Sequence, residues 1–265
     1  MSSRPGDVPW SRRLGGDDLV LGHFPLARRH PIDDRVRAAA DAGLAGIGLY
    51  AGEYRRLIDA GTSPDDLHRL LSSAGVVLAE VEVLSGWARR EPSEGERMIE
   101  TTVWEMVDEF GADYVQAIGP YDGTLADAVA AFGDLCDRAA AHGAIVGLEF
   151  LPFTNIATLA DARSIVERAG RPNGGLCLDV WHHTRGGVTL AEVRSLPREL
   201  VVAIQMSDGP ATPGSDDYRD DCLRHRVPPG RGTFDVDGFV TTLLELGVDV
   251  ERSEEHTSEL QSLTN

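Results

Sequence analysis

Two carboxylates and a carboxamide stand at the ends of short apolar runs: Glu149 after Ala-Ile-Val-Gly-Leu, Asp179 after Gly-Gly-Leu-Cys-Leu, and Gln205 after Val-Val-Ala-Ile. Oxygen donors of this kind suit a hard divalent cation. The intervals between them are 30 and 26 residues, each the length of one strand plus one helix. In a parallel α/β barrel the C-terminal ends of the strands share one face, where the chemistry of such barrels is done. The three groups would converge there. Burying a charge at the end of an apolar run is costly without a partner, so a salt bridge at the barrel mouth is the plain alternative to a metal.

The elements that would position them alternate along the chain. Strand patterns cover 19–24, 46–50, 76–83, 113–118, 144–149, 174–179 and 201–206, and amphipathic helical patterns cover 33–42, 64–74, 94–110, 124–142, 158–169 and 236–246. Asp33, Ser63, Thr124 and Thr158 are acceptable helix N-caps, and Gly43 fits a helix end just before a buried strand. Helix then strand, without paired hairpin signals, predicts a parallel sheet in one α/β domain, a (β/α)8 TIM barrel. The first 15 or so residues read as a tail.

Composition narrows the function classes. A net charge of −18 opposes binding to a phosphate backbone, so no nucleic-acid partner is expected. No run approaches the ~20 apolar residues of a membrane span, and the N-terminus carries no apolar signal core, which predicts a cytoplasmic protein without a membrane partner. Three widely spaced cysteines, Cys136, Cys177 and Cys222, suit free thiols in a reducing compartment. No dinucleotide or P-loop glycine pattern is present.

The C-terminus breaks the alternation. After the helix ending at Gly247 an eighth strand is due near 253–260, yet 252–262 reads RSEEHTSELQS, polar throughout. That string also equals a one-frame translation of a common short-read sequencing adapter. Residues 252–265 are therefore expected to be a non-native scar on a barrel spanning 1–251, and the barrel is expected to miss its native eighth strand. Open edges on the first and seventh strands, weak metal affinity and low stability would follow.

The chain resembles the sugar phosphate isomerase/epimerase family, the xylose isomerase-like barrels. Gly-Leu-Glu-Phe at 147–150, Cys-Leu-Asp-Val-Trp-His at 177–182, Gln-Met-Ser-Asp-Gly at 205–209 and Pro-Pro-Gly-Arg-Gly at 228–232 carry the resemblance. It implies a divalent metal on Glu149, Asp179 and Gln205, Mn²⁺ or Mg²⁺ favoured and Co²⁺ tolerated, with no counterpart here to the family's strand-8 Glu. It also implies a substrate-binding or acid/base role for His182 and a substrate contact for Arg226. Glu82, His23 and Tyr50 near other strand ends, and Trp181 as a pocket wall, complete the candidate substrate-binding set. The implied activity is isomerisation or epimerisation of a small polyhydroxy carbonyl compound, with Glu149 and His182 handling protons. Dehydration of the 3-dehydroshikimate or inosose type is the alternative. An apurinic endonuclease of the same superfamily would need more histidines than the eight present and a basic groove. A non-catalytic barrel is the remaining reading. A homo-oligomer is compatible with all of these.

Overall fold

The computed structural model describes residues 14–27, 29–250 and 252–254. The chain begins with β1 (Leu19–Leu21), α1 (Phe24–Ala27), α2 (Ile32–Asp41), β2 (Gly46–Tyr50), α3 (Ala51–Asp59) and α4 (Pro64–Ala74). There follow β3 (Val77–Leu84), α5 (Glu94–Phe110), β4 (Tyr114–Ile118), α6 (Leu125–Ala141), β5 (Ile145–Glu149) and α7 (Leu159–Ala169). The last third holds β6 (Gly174–Asp179), α8 (Val180–Arg185), α9 (Leu190–Arg194), β7 (Val201–Met206), α10 (Tyr218–Arg224), α11 (Val236–Glu245) and β8 (Arg252–Glu254). The strands pair in chain order, all parallel, and β8 closes the ring onto β1.

Local chemistry fixes where the helices start. Ser63, Thr124 and Thr158 each accept a hydrogen bond from the amide three residues on, while the aspartate there bonds back. Each such capping box is worth about 1 kcal/mol. Asp33 is a different case: α2 begins at Ile32 behind Pro31, so Asp33 lies in the first turn and favours the helix dipole without capping it. Gly43, at φ +73°, makes the left-handed step from α2 toward β2.

Two buried layers result. Aliphatic residues such as Val81, Val115, Val146, Leu148, Leu176 and Leu178 pack outward against the helices in one continuous core. The alternate positions face the lumen, where Tyr114, Cys177 and Ala203 form a separate small cluster. Above them the lumen is polar, with Glu80, Glu82, Gln116, Glu149, Asp179 and Gln205 all buried.

The eighth position corrects one expectation. No long strand follows α11 among the described residues, but neither are β1 and β7 left open, because Arg252–Glu254 pairs with both. The physical reason is that ladder bonds are made by backbone N–H and C=O, so a polar segment satisfies two strand edges as well as an apolar one does. Ser253, fully buried, donates to Glu80 across the lumen at 2.8 Å. Of the expected tail, residues 1–13 lie outside the described residues, whereas Gly16 N bonds Asp249 at 2.8 Å beside the barrel. Among the described residues no helix is long and apolar enough to cross a membrane.

Candidate active site

Glu149 is the last residue of β5, Asp179 the last of β6, and Gln205 the penultimate residue of β7, so parallel pairing brings all three to one end of the barrel. Asp179 also starts the next helix: its Oδ1 accepts from Trp181 N at 2.7 Å, and the tight turn places His182 back over the strand ends. His182 Nε2 lies 3.3 Å from Glu149 Oε1 and 3.5 Å from Asp179 Oδ2. Ligand atoms of Glu149, Asp179 and His182 all fall within 4.8 Å of one another. Gln116 on β4 donates to Glu149 Oε2 at 2.6 Å and approaches Gln205 Oε1 at 3.5 Å, which links the carboxamide to the same centre.

Arg226 holds the other side of Asp179. Its Nη2 stands 2.7 Å from Asp179 Oδ2 and 3.1 Å from Cys222 Sγ, and its Nε donates to the Cys222 carbonyl at 3.0 Å. Burial pulls the guanidinium pKa down, but Asp179 and Cys222 outweigh that and hold it well above the ordinary arginine value. Burial, and then the charge of Asp179, push Glu149 well above the usual carboxylate range. His182 is lowered to about 4, by burial first with Arg226 adding to it, so the imidazole is neutral near pH 7. Its Nδ1 is 2.9 Å from Tyr218 OH, and the two rings stack at 5.9 Å. When Nδ1–H donates to Tyr218, Nε2 turns a lone pair toward the carboxylates.

These residues fit a divalent cation. Two carboxylates share a single fixed guanidinium, and burial together with the charge of Asp179 raises Glu149, a penalty that a bound cation would relieve. A neutral imidazole and a carboxamide oxygen complete a mixed O/N donor set. Gln116 Oε1, buried without a hydrogen-bond partner, adds an unused acceptor nearby.

The centre forms the floor of a cavity of about 590 Å³ at the strand C-termini, lined also by Tyr50 and Glu82. Glu82, 1% exposed, accepts from His23 N at 3.0 Å, and burial raises it to about 7. Gly48 makes that approach possible, since a Cβ there would sit 2.2 Å from Glu82 Oε1. Seven of the nine expected site residues therefore share one cavity: Glu149, Asp179, Gln205, His182, Arg226, Glu82 and Tyr50. His23 and Trp181 do not line it. His23 sits behind Glu82, its Nδ1 3.1 Å from Arg35 and its Nε2 3.4 Å from Glu53. Trp181 is fully buried: α8 turns its indole onto Phe234 and beneath the guanidinium of Arg185, away from the cavity. Gln116, Tyr218 and Cys222 were not anticipated. Gln116 alone left a signal, a polar residue inside the apolar run Tyr-Val-Gln-Ala-Ile.

Comparison with known proteins gives a consistent picture. The profile of the xylose isomerase-like TIM barrel family matches residues 36–260. A 3-dehydroshikimate dehydratase of Pseudomonas aeruginosa is 26% identical over 223 residues, 82% of this chain and 34% of that protein. An inosose isomerase of Bacillus licheniformis is 28% identical over 126 residues, 46% of this chain and 43% of its own length. The chain thus spans well under half the length of either curated relative. Among solved structures, an IolI protein with a bound zinc atom superposes with a TM-score of 0.79 at 20% identity, covering 93% of this chain and 91% of that one.

Proposed function

Since the chain belongs to the xylose isomerase-like TIM barrel family, whose relatives above are enzymes, we propose that it is a divalent-metal-dependent isomerase or epimerase of a small polyhydroxy carbonyl compound. The observation that carries this reading is the convergence of Glu149, Asp179 and His182, with Gln205 beside them, on the floor of one cavity. A cation held by these residues would supply Lewis-acid polarisation of a carbonyl and acidify the neighbouring C–H. The presence of an imidazole nitrogen supports Mn²⁺ or Co²⁺ over Mg²⁺.

The chain's own residues supply the rest. Asp179 is oriented by the Trp181 amide and charge-balanced by Arg226, so it has one fixed carboxylate geometry. His182 is neutral and clamped by Tyr218 through Nδ1, so its Nε2 is presented to the cation or, where the cation is held by the oxygen donors alone, to a substrate hydroxyl. Glu149, once ionised, accepts the carbon-bound proton. Glu82, raised to about 7, is balanced between acid and base near neutrality at the β3 side of the cavity. Delivery of a proton to the opposite face of the same carbon epimerises, delivery to its neighbour isomerises, and loss of a β-hydroxyl dehydrates.

Dehydration is the second reading. It is favoured by the length of the match to the 3-dehydroshikimate dehydratase, 82% of this chain. One experiment separates the two. The Mn²⁺-supplemented protein is incubated in D₂O with 3-dehydroshikimate and, separately, with an inosose, and followed by NMR. Deuterium entering next to the carbonyl of a product that has lost no water supports isomerase or epimerase chemistry. Loss of water supports the dehydratase. No exchange with either compound, by a protein shown to bind Mn²⁺, counts against both.

A further inference from the structure

The cavity is larger than its polar floor requires. A ring compound of about a dozen heavy atoms, allotted even the ~30 Å³ that each water takes in the liquid, occupies less than ~360 Å³. The cavity offers about 590 Å³, within the range of pockets for drug-sized ligands. The remainder is mixed: Ser85, Ser93, Glu96, Glu100 and Arg219 line it beside an apolar group. Phe24, Tyr50, Ile118, Leu151, Phe153 and Leu223 contribute to its wall. Phe24 and Phe153 are 38% and 44% exposed, the two exposed phenylalanines among the described residues, and both stand at this one cavity. They follow β1 and β5, opposite staves of an eight-stranded ring. Scattered exposed apolar residues need no explanation, but aromatic side chains grouped at the mouth of a cavity mark a ligand surface. Phe24 and Tyr50 lie 5.7 Å apart with rings tilted by 40°, while Phe153 packs at 5.9 Å against Tyr218, the residue that clamps His182. The aromatic wall is therefore continuous with the floor.

We propose that the substrate is an aryl-substituted polyhydroxy carbonyl compound, its sugar-like ring held on the polar floor and its aryl group resting on the aromatic rim to which Phe24, Tyr50 and Phe153 contribute. The proposal rests on the functional reading above and narrows its substrate class. The floor recognises hydroxyl and carbonyl oxygens, and the rim removes an apolar face from water. An aryl group suits the rim better than an alkyl chain because tilted aromatic pairs gain beyond simple area burial.

The test titrates the 3-keto forms of methyl and phenyl β-D-glucopyranoside into the Mn²⁺-loaded full chain by calorimetry, with phenol alone as control. The phenyl compound is expected to bind about ten-fold more tightly than the methyl one. Phe24→Ala and Phe153→Ala should each bring the ratio of phenyl- to methyl-compound affinity close to one, and it is this ratio, not the affinity for either compound alone, that is read. Both side chains are partly exposed, so the substitutions spare the core. Equal affinity for the two glycosides overturns the proposal while the functional reading stands. No binding of either glycoside by a protein that binds Mn²⁺ overturns both. A phenyl preference that survives both substitutions, or phenol binding as well as the phenyl glycoside, also overturns it. So does a Phe153→Ala variant that changes oligomeric state without changing the preference, because a second copy would then cover the rim.

Discussion

Two buried polar clusters face each other across the cavity, and they are built from nearly the same parts. On the β1–β3 side stand His23, Arg35, Glu53 and Glu82. On the β5–β7 side stand His182, Arg226, Asp179 and Glu149. Each has one neutral histidine, one guanidinium and two carboxylates. Burial, with Arg35 next, lowers His23 to about 2. The arrangement differs. Arg35 pairs with Glu53 and bonds His23 outside the cavity lining, leaving only Glu82 to look inward. In the second cluster both carboxylates and the imidazole nitrogen point at one spot, and Arg226 pairs with Asp179 at 2.7 Å. Composition alone does not make a metal centre. What distinguishes the second cluster is an excess carboxylate aimed at the same point as the others.

The comparison can be broken by substitution. Asp179→Asn should have the largest effect. It strips a metal ligand and breaks the buried ion pair with Arg226, so Mn²⁺ affinity should fall by more than about 100-fold and stability by about 3 kcal/mol. Glu53→Gln, its counterpart, should cost a similar amount in urea unfolding but leave Mn²⁺ titration unchanged. Equal losses of metal affinity in the two variants would erase the distinction.

Next comes Glu82→Gln. The folded-state pKa of Glu82 lies at about 7, above the ordinary 4.5, so between those values the folded protein retains a proton that the unfolded chain releases. Stability on this account falls as pH rises from about 4.5 through about 7, by about 3 kcal/mol. The difference between wild type and Glu82→Gln in urea unfolding, taken at pH 4, 6 and 8, isolates that slope. A pH-independent difference would show that Glu82 is not held protonated by burial.

Tyr218→Phe is the mildest. It removes the partner of His182 Nδ1 without opening a cavity, so Mn²⁺ affinity should drop about 10-fold with under about 1 kcal/mol lost in unfolding. Unchanged affinity would mean that His182 is oriented by packing against Phe150 and the Tyr218 ring alone.

The second cluster was far more legible in the sequence than the first. Glu149, Asp179 and Gln205 end apolar runs, and a polar residue in such a place has no cheap structural use. Glu82 showed through period 2 along β3. Arg35 and Glu53 did not show: in Ile-Asp-Asp-Arg-Val-Arg an arginine reads as a solvated helix face, and only the crossing of α2 over β1 makes it 2% exposed. The apolar rim escaped for a related reason, because Phe24 and Phe153 are far apart in the chain and come to line one cavity only through the ring order of the strands. The closed edges of β1 and β7 were not legible because strand patterns are written in side chains, whereas pairing is made by the backbone.

That eighth position also sets how the barrel breathes. A ring is as tight as its weakest joint, and here the joint is formed by β1 and β8, each of three residues, with β1 overlapping β2 only at Val20 and Leu21. Opening should therefore not be uniform around the cylinder. Amide protons of β1 would exchange with solvent far sooner than those of β4, β5 and β6. Glu149 and Asp179, on β5 and β6, lie on the slow side of that gradient, whereas Gln205 on β7 stands next to the seam. The preorganised half of the cavity and its compliant half are thus set by where the seam falls.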